Sequence, residues 1–399
     1  MIRSVMATRE RWIAGGRLAG GGEVALRVRD GRIVELAARA PRDAARLELE
    51  GRWLVPFALD THVHLAFAAG LGARHADDPP AARVRLSALL GELFQAGVAG
   101  AIDLGAPLAL VPLMRSLATP PRLIWPPNDI GGTQHKLDGT QHNIVGTPHI
   151  PGAAPACSLA WSGPLLCAPR GYPTESWGRD GYGLVVATPE AARAAVRELH
   201  QGGARFIKLS FDGRFPVLAP AVARAAVLEA EGLGLLTVAH ALDVAAVTSA
   251  LAAQVAVLAH APLEPLPASL VSAAGAARLA VLSTLHAYGA TAAARDNLAR
   301  LAAAGCRPIY GTDLGNEGTA PGISAPELRA LQECGFSSAQ ILDICTREAA
   351  DFFGDPSLGR LQPGAQANLL VLEEDPLRDP TALCRPAQRL LAGEPQLAS

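Results

Sequence analysis

The sequence lacks the features that mark several classes of protein. No run of 18 apolar residues is present, and the N-terminal stretch MIRSVMATRERWIAGG has no apolar signal core. The six cysteines form no CxxC pair and no regular framework, which favours reduced thiols over disulfides. We therefore expect a cytoplasmic protein that does not span a membrane.

Charge is also scarce, and neither sign is in excess. Charged residues make up 18% of the 399 residues and the formal net charge is -2. No basic excess indicates nucleic acid as a partner. Half of the residues are apolar, which is typical of a well-packed enzyme and not of long disordered segments.

The two ends of the chain are patterned as short β-strands. In ALRVRDGRIVEL, two alternating runs flank Asp30 and Gly31, a pair favoured in two-residue hairpin turns because both positions need positive φ. The stretch LGRLQPGAQANLLVLEEDPL has the same character near the other end. We predict a small β-sandwich domain built from both termini, residues 1–56 and 357–399.

Residues 57–356 alternate apolar runs with Ala- and Leu-rich helical stretches. A representative helix is TPEAARAAVRELHQGG, with Thr188 as N-cap and Gly202–Gly203 as terminator. The predicted strands are 55–60, 98–104, one near 122–125 or 159–163, 204–210, 235–240, 255–260, 279–285 and 307–313. Eight strand–helix units predict an α/β fold, a (β/α)8 TIM-type barrel.

The segment 126–158 does not fit this pattern. It is polar, rich in Gly and Pro, and contains GTQHKLDGTQHNIVGTPH, which places His135, His142 and His149 at a spacing of seven. No strand precedes these histidines to fix their geometry, and the repeat resembles a tandem duplication within a loop. We predict a loop insertion that does not bind the catalytic metal.

Six metal-competent side chains lie elsewhere, at the C-terminal ends of predicted strands. His62 and His64 are one residue apart, so both face the same side of a strand. The active sites of barrel enzymes lie at this end of the strands. The six residues are His62, His64, Lys208, His240, His260 and Asp313.

At these residues the sequence resembles the metal-dependent amidohydrolase superfamily, over nearly the whole chain. LVPFALDTHVHL looks like its entry motif, IKLS its bridging-lysine strand and GTDLG its terminal aspartate motif, while LGRLQPGAQANLLVLEEDPLRD resembles its return to the β domain. The likeness is greatest to prolidase-like and dihydroorotase-like members. Phe57 and Asn368 depart from the usual motifs, but neither is at a ligand position.

The resemblance implies a binuclear metal site. His62, His64 and Asp313 would hold one divalent ion, His240 and His260 a second, and Lys208 would bridge them as an N-carboxylated lysine. Zinc suits these ligands, with other divalent metals as alternatives. The ions would activate a water molecule and polarise the scissile carbonyl, and Asp313 would carry the proton to the leaving nitrogen.

These expectations define a hydrolase of an amide-type C–N bond, linear or cyclic, in a small molecule or short peptide. For substrate contacts we expect His286, which would also serve catalysis, with Tyr288 beside it and Arg170, Tyr172 and Trp177 from another loop. A mononuclear deaminase or imidazolone-type ring hydrolase is one alternative, and a catalytically silent scaffold another. The sequence leaves the substrate open, and a homo-oligomer is compatible with it.

Overall fold

The computed structural model describes residues 10–118 and 157–396. The heptad histidines, and the first of the two positions considered for the third parallel strand, lie outside the described residues. So does most of the insertion predicted at 126–158. The second candidate position is occupied by a strand, Ser158–Trp161, so that insertion cannot extend through Ser158.

Strands from both ends of the chain form one eight-stranded sheet. Its members are β1 (Glu10–Leu18), β2 (Glu23–Arg29), β3 (Arg32–Ala37), β4 (Arg46–Glu48), β5 (Trp53–Pro56), β16 (Leu369–Leu372), β17 (Gln388–Leu391) and β18 (Glu394–Pro395). The order is β18-β17-β16-β5-β1-β2-β3, with β4 paired to β1. Asp30 and Gly31 have φ values of 49° and 76°, which confirms the predicted hairpin turn. Strands from the two ends of the chain therefore pair with each other in one sheet, as β5 does with β16.

The central part of the chain is mixed α/β with parallel strands. These are β6 (Ala58–Val63), β7 (Val98–Asp103), β8 (Ser158–Trp161), β9 (Leu165–Cys167), β10 (Gly183–Val185), β11 (Phe206–Ser210), β12 (Leu236–His240), β13 (Val257–Leu258), β14 (Ala280–Leu282) and β15 (Arg307–Ile309). One sheet has the order β6-β7-β8 and the other β10-β9-β11-β12-β13-β14-β15. The first predicted strand begins later than expected, because residues 53–56 pair with β16 in the terminal sheet.

Backbone hydrogen bonds connect these two parallel sheets at both sides. On one side, Arg205 N donates to Trp161 O at 3.0 Å, just before β11 begins. On the other side, Thr61 N donates to Tyr310 O at 3.2 Å and Asp313 N to His62 O at 2.8 Å. The chain that follows β15 therefore lies against β6, and this contact brings the first and last parallel strands together.

Helices follow most of the parallel strands. They are α1 (Leu65–Ala68), α2 (Pro79–Gln95), α3 (Val111–Leu117), α4 (Pro189–Gly202), α5 (Pro220–Gly232), α6 (Val244–Ala253), α7 (Ala268–Ala276), α8 (Ala292–Ala303), α9 (Ala325–Glu333), α10 (Ser338–Cys345) and α11 (Arg347–Phe353). Thr188 caps α4 by accepting from Ala191 N, and Gly203 ends it in the left-handed conformation. These caps confirm the helix predicted from the sequence. No described helix is long and apolar enough to cross a membrane.

The parallel strands β6 and β7 are buried along their whole length. All six residues of β6 and of β7 are buried, and their apolar side chains belong to one continuous core with the surrounding helices. Phe57 connects this region to the terminal sheet, since its backbone N–H donates to Asn368 O at 3.0 Å. The packing of these strands in the core therefore holds the polar residues at their carboxyl ends in fixed positions.

Candidate metal centre

Strands β6 and β15 bring three potential ligands to one point. His62 lies in β6, His64 follows that strand, and Asp313 follows β15. Nε2 of each histidine lies 3.2 Å from Asp313 Oδ1. One ligand atom from each residue lies within 4.8 Å of the other two, and all three residues are buried.

Backbone carbonyls fix how His62 and His64 present their nitrogens. Nδ1 of His62 lies 2.9 Å from Ala259 O, and Nδ1 of His64 lies 3.5 Å from Gly105 O. Because a carbonyl only accepts, Nδ1 of His62 carries the hydrogen and Nε2 keeps its lone pair. Burial, together with the charge of Lys208, holds the pKa of His62 well below its usual value. A neutral imidazole of this tautomer is the form that binds a metal.

A second pair of histidines lies beside the first cluster. His240 ends β12 and His260 follows β13; Nδ1 of His240 is 3.0 Å from Nε2 of His260. The Nδ1 atom of His260 contacts Thr284 Oγ1 at 3.0 Å. Two nitrogens on one tetrahedral zinc would be about 3.3 Å apart, given Zn–N bonds of about 2.0–2.1 Å. The two imidazoles are therefore close enough to bind one ion, and Nε2 of His240 is a nitrogen without a hydrogen bond among the described residues.

Lys208 lies between the two histidine groups. Its side chain is on β11 with 1% of the residue exposed, and Nζ is 3.2 Å from His62 Nε2. Burial lowers the pKa of Lys208 to about 7, so near neutral pH a large fraction of the amine is uncharged. An uncharged amine is the form able to react with carbon dioxide to give a carbamate.

The donor set fits a bound cation. Buried polar groups normally have hydrogen-bond partners, yet His240 Nε2 and Asp313 Oδ1 are buried without one among the described residues. Burial by itself would raise the pKa of Asp313, but the neighbouring histidines hold it well below its usual value. An anionic carboxylate among neutral imidazoles and a lysine is a ligand set that divalent metals such as zinc accept.

A cavity of about 270 Å³ lies over these groups and has aromatic walls. Tyr172 stacks on the ring of His240 with centroids 4.6 Å apart, and Tyr288 meets His260 edge-on at 4.9 Å. Trp177 packs edge-on against His64 at 5.4 Å and donates from Nε1 to the Tyr172 hydroxyl at 2.7 Å. Three of the five residues expected at the mouth are thus in the cavity lining.

The other two residues expected at the mouth do not line the cavity. Arg170 is exposed, outside the lining residues. The backbone N–H of His286 is held by Glu327 at 2.7 Å, and its Nε2 lies 3.4 Å from Gly318 O. His286 and Tyr288 are two positions apart in a 3-10 turn, so they point to different sides. This turn directs Tyr288, and not His286, onto His260.

Sequence reasoning overlooked several residues near the centre. Asp103 ends β7 and accepts hydrogen bonds from the backbone of Leu65 and Gly105, each at 2.9 Å. Asp212 follows β11, with Oδ2 3.9 Å from His240 Nε2. Both carboxylates could have been found by the strand-end rule that selected the histidines. Two other lining residues, Phe67 in the short helix α1 and Glu317 in the loop after β15, carry no such signal.

The chain matches one protein family over most of its length. Residues 53–392 match the model of the family described as "Amidohydrolase family". The chain belongs to the amidohydrolase family. Membership confirms the resemblance read from the sequence, and it identifies the chain as a hydrolytic enzyme that acts on C–N bonds.

Solved structures of the same fold include several amidohydrolases. A prolidase complexed with N-methylphosphonate-L-proline has 21% identity and a TM-score of 0.73, covering 98% of this chain and 100% of that one. A putative prolidase from Bifidobacterium longum has 22% identity and a TM-score of 0.69, covering 98% and 95%. The A. niger ochratoxinase has 18% identity and a TM-score of 0.70, covering 97% and 95%. No curated protein sequence matches the chain.

In this amidohydrolase, Asp243 is the N-cap residue of helix α6. The deaminase-like alternative expects an acidic side chain facing the substrate at this position, three residues after His240. Here the Asp243 side chain accepts from Ala246 N at 2.7 Å and caps α6. It is absent from the residues that line the cavity, so it faces the helix and not a substrate.

Proposed function

We propose that the chain is a metal-dependent hydrolase that cleaves an amide-type C–N bond, linear or cyclic, in a small molecule or short peptide. The observation that carries the proposal is the convergence of buried ligand atoms from β6, β11, β12, β13 and the segment after β15. His62, His64 and Asp313 would hold one divalent ion, and His240 and His260 a second. Lys208, carboxylated at Nζ, would bridge the two, and zinc is the ion we propose.

We infer that the parallel strands close into a (β/α)8 barrel. The backbone hydrogen bonds at Arg205, Thr61 and Asp313 support this inference. Residues 57–356 would form the barrel, and residues 1–56 with 357–399 a separate β domain, predicted to be a sandwich. The active site would then lie at the carboxyl ends of the barrel strands.

The chain's own groups explain the rest of the chemistry. The bound ions would supply Lewis acidity to the scissile carbonyl and lower the pKa of the attacking water. Asp313 would accept the proton of that water and donate it to the departing nitrogen, which must leave protonated. The pKa of Asp313 lies well below its usual value, so the carboxylate is ionised, which is the form that can accept a proton. Tyr172 and Trp177 would limit the access of bulk water.

The two alternatives receive less support from the residues. A mononuclear deaminase or imidazolone-type hydrolase needs an acidic side chain facing the substrate after β12, whereas Asp243 caps a helix. A silent scaffold would have no need to bury Lys208 beside His62, since burying an amine is costly. We also propose a cytoplasmic location and leave self-association as a prediction.

The decisive experiment combines metal analysis with a substrate screen. The purified enzyme, loaded with zinc in bicarbonate buffer, should contain two equivalents of zinc, and mass or density should identify a carbamate on Lys208. The loaded enzyme is then tested on N-acyl amino acids, Xaa-Pro dipeptides, hydantoins and lactams. A single metal with an unmodified Lys208 pointing away from it would reject the binuclear assignment and favour the deaminase-like alternative.

A further inference from the structure

The walls of the cavity are better suited to apolar than to charged groups. Phe67 and Trp177 meet edge-on with centroids 5.1 Å apart, and Trp177 and Tyr172 at 6.2 Å. Tyr288 lies on the other side, against His260. Aromatic faces and edges of this kind bind planar or aliphatic groups through dispersion and burial.

The mouth of the cavity carries negative charge. Glu317 belongs to the lining and is exposed to solvent. Asn316 Nδ2 donates to Asp313 O at 3.0 Å, which connects the loop of Glu317 to the metal centre, and Gly315 N donates to Thr319 Oγ1 at 3.0 Å within the loop. The carboxylate of Glu317 is thereby kept near the mouth.

No arginine or lysine balances this carboxylate within the described lining, apart from Lys208 in the floor of the cavity. Arg214 is a nearby cation, but its Nη2 is 2.6 Å from Asp212 Oδ2 and its Nε is 3.0 Å from Asp212 Oδ1. Its side chain is 72% exposed. Asp212 therefore already offsets the charge of Arg214, which lies outside the lining.

We infer that the substrate carries no carboxylate on the amine side of the scissile bond, and that Glu317 selects against one. The substrate class is an uncharged or cationic amide with an aromatic or aliphatic acyl group. This inference rests on the proposed hydrolysis of an amide bond at the metal centre. It departs from the expectation that Arg170 contacts the substrate.

The test uses two amides that differ in one group. Benzoyl-L-prolinamide and benzoyl-L-proline present the same scissile bond with and without a carboxylate. Since like charges brought together disfavour binding by an amount that depends on solvation, kcat/KM should be higher for the prolinamide by about tenfold or more. Glu317→Gln should reduce this ratio several-fold. Glu198→Gln, which removes the same charge from an exposed site on α4, should leave it unchanged.

Measuring the binding of ligands that cannot be cleaved tests this inference independently of turnover. The matched sulfonamides, phenylsulfonyl-L-prolinamide and phenylsulfonyl-L-proline, lack the scissile carboxamide, and calorimetry on the zinc-loaded enzyme gives their Kd values. If neither benzoyl compound is cleaved but the neutral sulfonamide binds better, the cavity selects against a carboxylate as inferred, while the proposed hydrolysis gains no support from these two amides. If the acid binds or reacts as well as the amide, or neither sulfonamide binds, the inference is wrong. An unchanged ratio in Glu317→Gln overturns the role of Glu317.

Discussion

The floor and the rim of the cavity are built in different ways. The six proposed metal ligands form the floor, and five of them, all but His62, line the cavity. Each lies on a parallel strand or within four residues of its end, and each is at most 7% exposed. The rim consists of Phe67, Tyr172, Trp177, Tyr288 and Glu317, which lie outside the parallel strands and are partly exposed. A side chain at the end of a strand has its direction fixed by the strand, whereas the direction of a rim side chain depends on the course of the segment between strands that carries it. We therefore expect changes in the floor to abolish metal binding and turnover, and changes in the rim to alter substrate affinity.

The largest effect is expected at Asp313. Asp313→Asn keeps the shape of the side chain but removes the anionic ligand and the proton acceptor. Loss of a general acid–base group lowers turnover by about 10²–10⁴-fold, and loss of a ligand should also reduce bound metal. Both are measured by steady-state kinetics and by elemental analysis of the same sample.

Asp243→Asn is the matched control for this change. Asparagine caps helices about as well as aspartate, so α6 should be unaffected, and activity and metal content should stay at the wild-type level. Normal turnover in Asp313→Asn would exclude the proposed proton transfer. A large loss in Asp243→Asn would instead favour the deaminase-like alternative.

The next largest effect is expected at Lys208. Lys208→Ala removes the proposed bridge between the two ions. Substitution of residues that only support metal ligands lowers metal affinity by about 10–100-fold, and the loss in Lys208→Ala should be larger. Short carboxylic acids should restore part of the activity by occupying the place of the carbamate. The chain has one other lysine, Lys136, and Lys136→Ala serves as the control. Unchanged metal stoichiometry in Lys208→Ala would contradict the bridging role.

A smaller effect is expected in the rim. Tyr172→Phe keeps the ring that stacks on His240 but removes the hydroxyl that accepts from Trp177. A neutral hydrogen bond contributes about 0.5–1.5 kcal/mol, so KM should rise about two- to tenfold while kcat and metal content change little. Tyr310→Phe removes a buried hydroxyl that accepts from Ser324 N and should lower stability without raising KM. If Tyr172→Phe binds less metal than the wild-type enzyme, Tyr172 contributes to the metal centre and not only to the rim.

This contrast also explains what could be predicted from the sequence. The floor residues follow apolar runs, and β6, β11, β12 and β13 place them together as the runs predicted. The rim was predicted less well, because no periodicity reveals that the backbone N–H of His286 donates to Glu327 or that its ring lies near Gly318 O. The aromatic contacts of Trp177 likewise depend on a loop whose course is set by tertiary packing. The pattern of apolar residues that predicts a strand lies within the strand itself, whereas the course of a loop depends on residues far away in the sequence.

The smallest effect is expected in the heptad repeat, which lies outside the described residues. Replacing His135, His142 and His149 together by Gln should leave metal stoichiometry and turnover unchanged, because the six proposed ligands would complete the site without them. Long loops cost little free energy of folding, about 0.6 kcal/mol per doubling of length, so the segment needs no metal to be tolerated. Substitution is a cleaner test than deletion, since β8 begins close behind the repeat at Ser158. If the triple variant loses half of its tightly bound metal, the repeat belongs to the metal centre and the floor is incomplete without it.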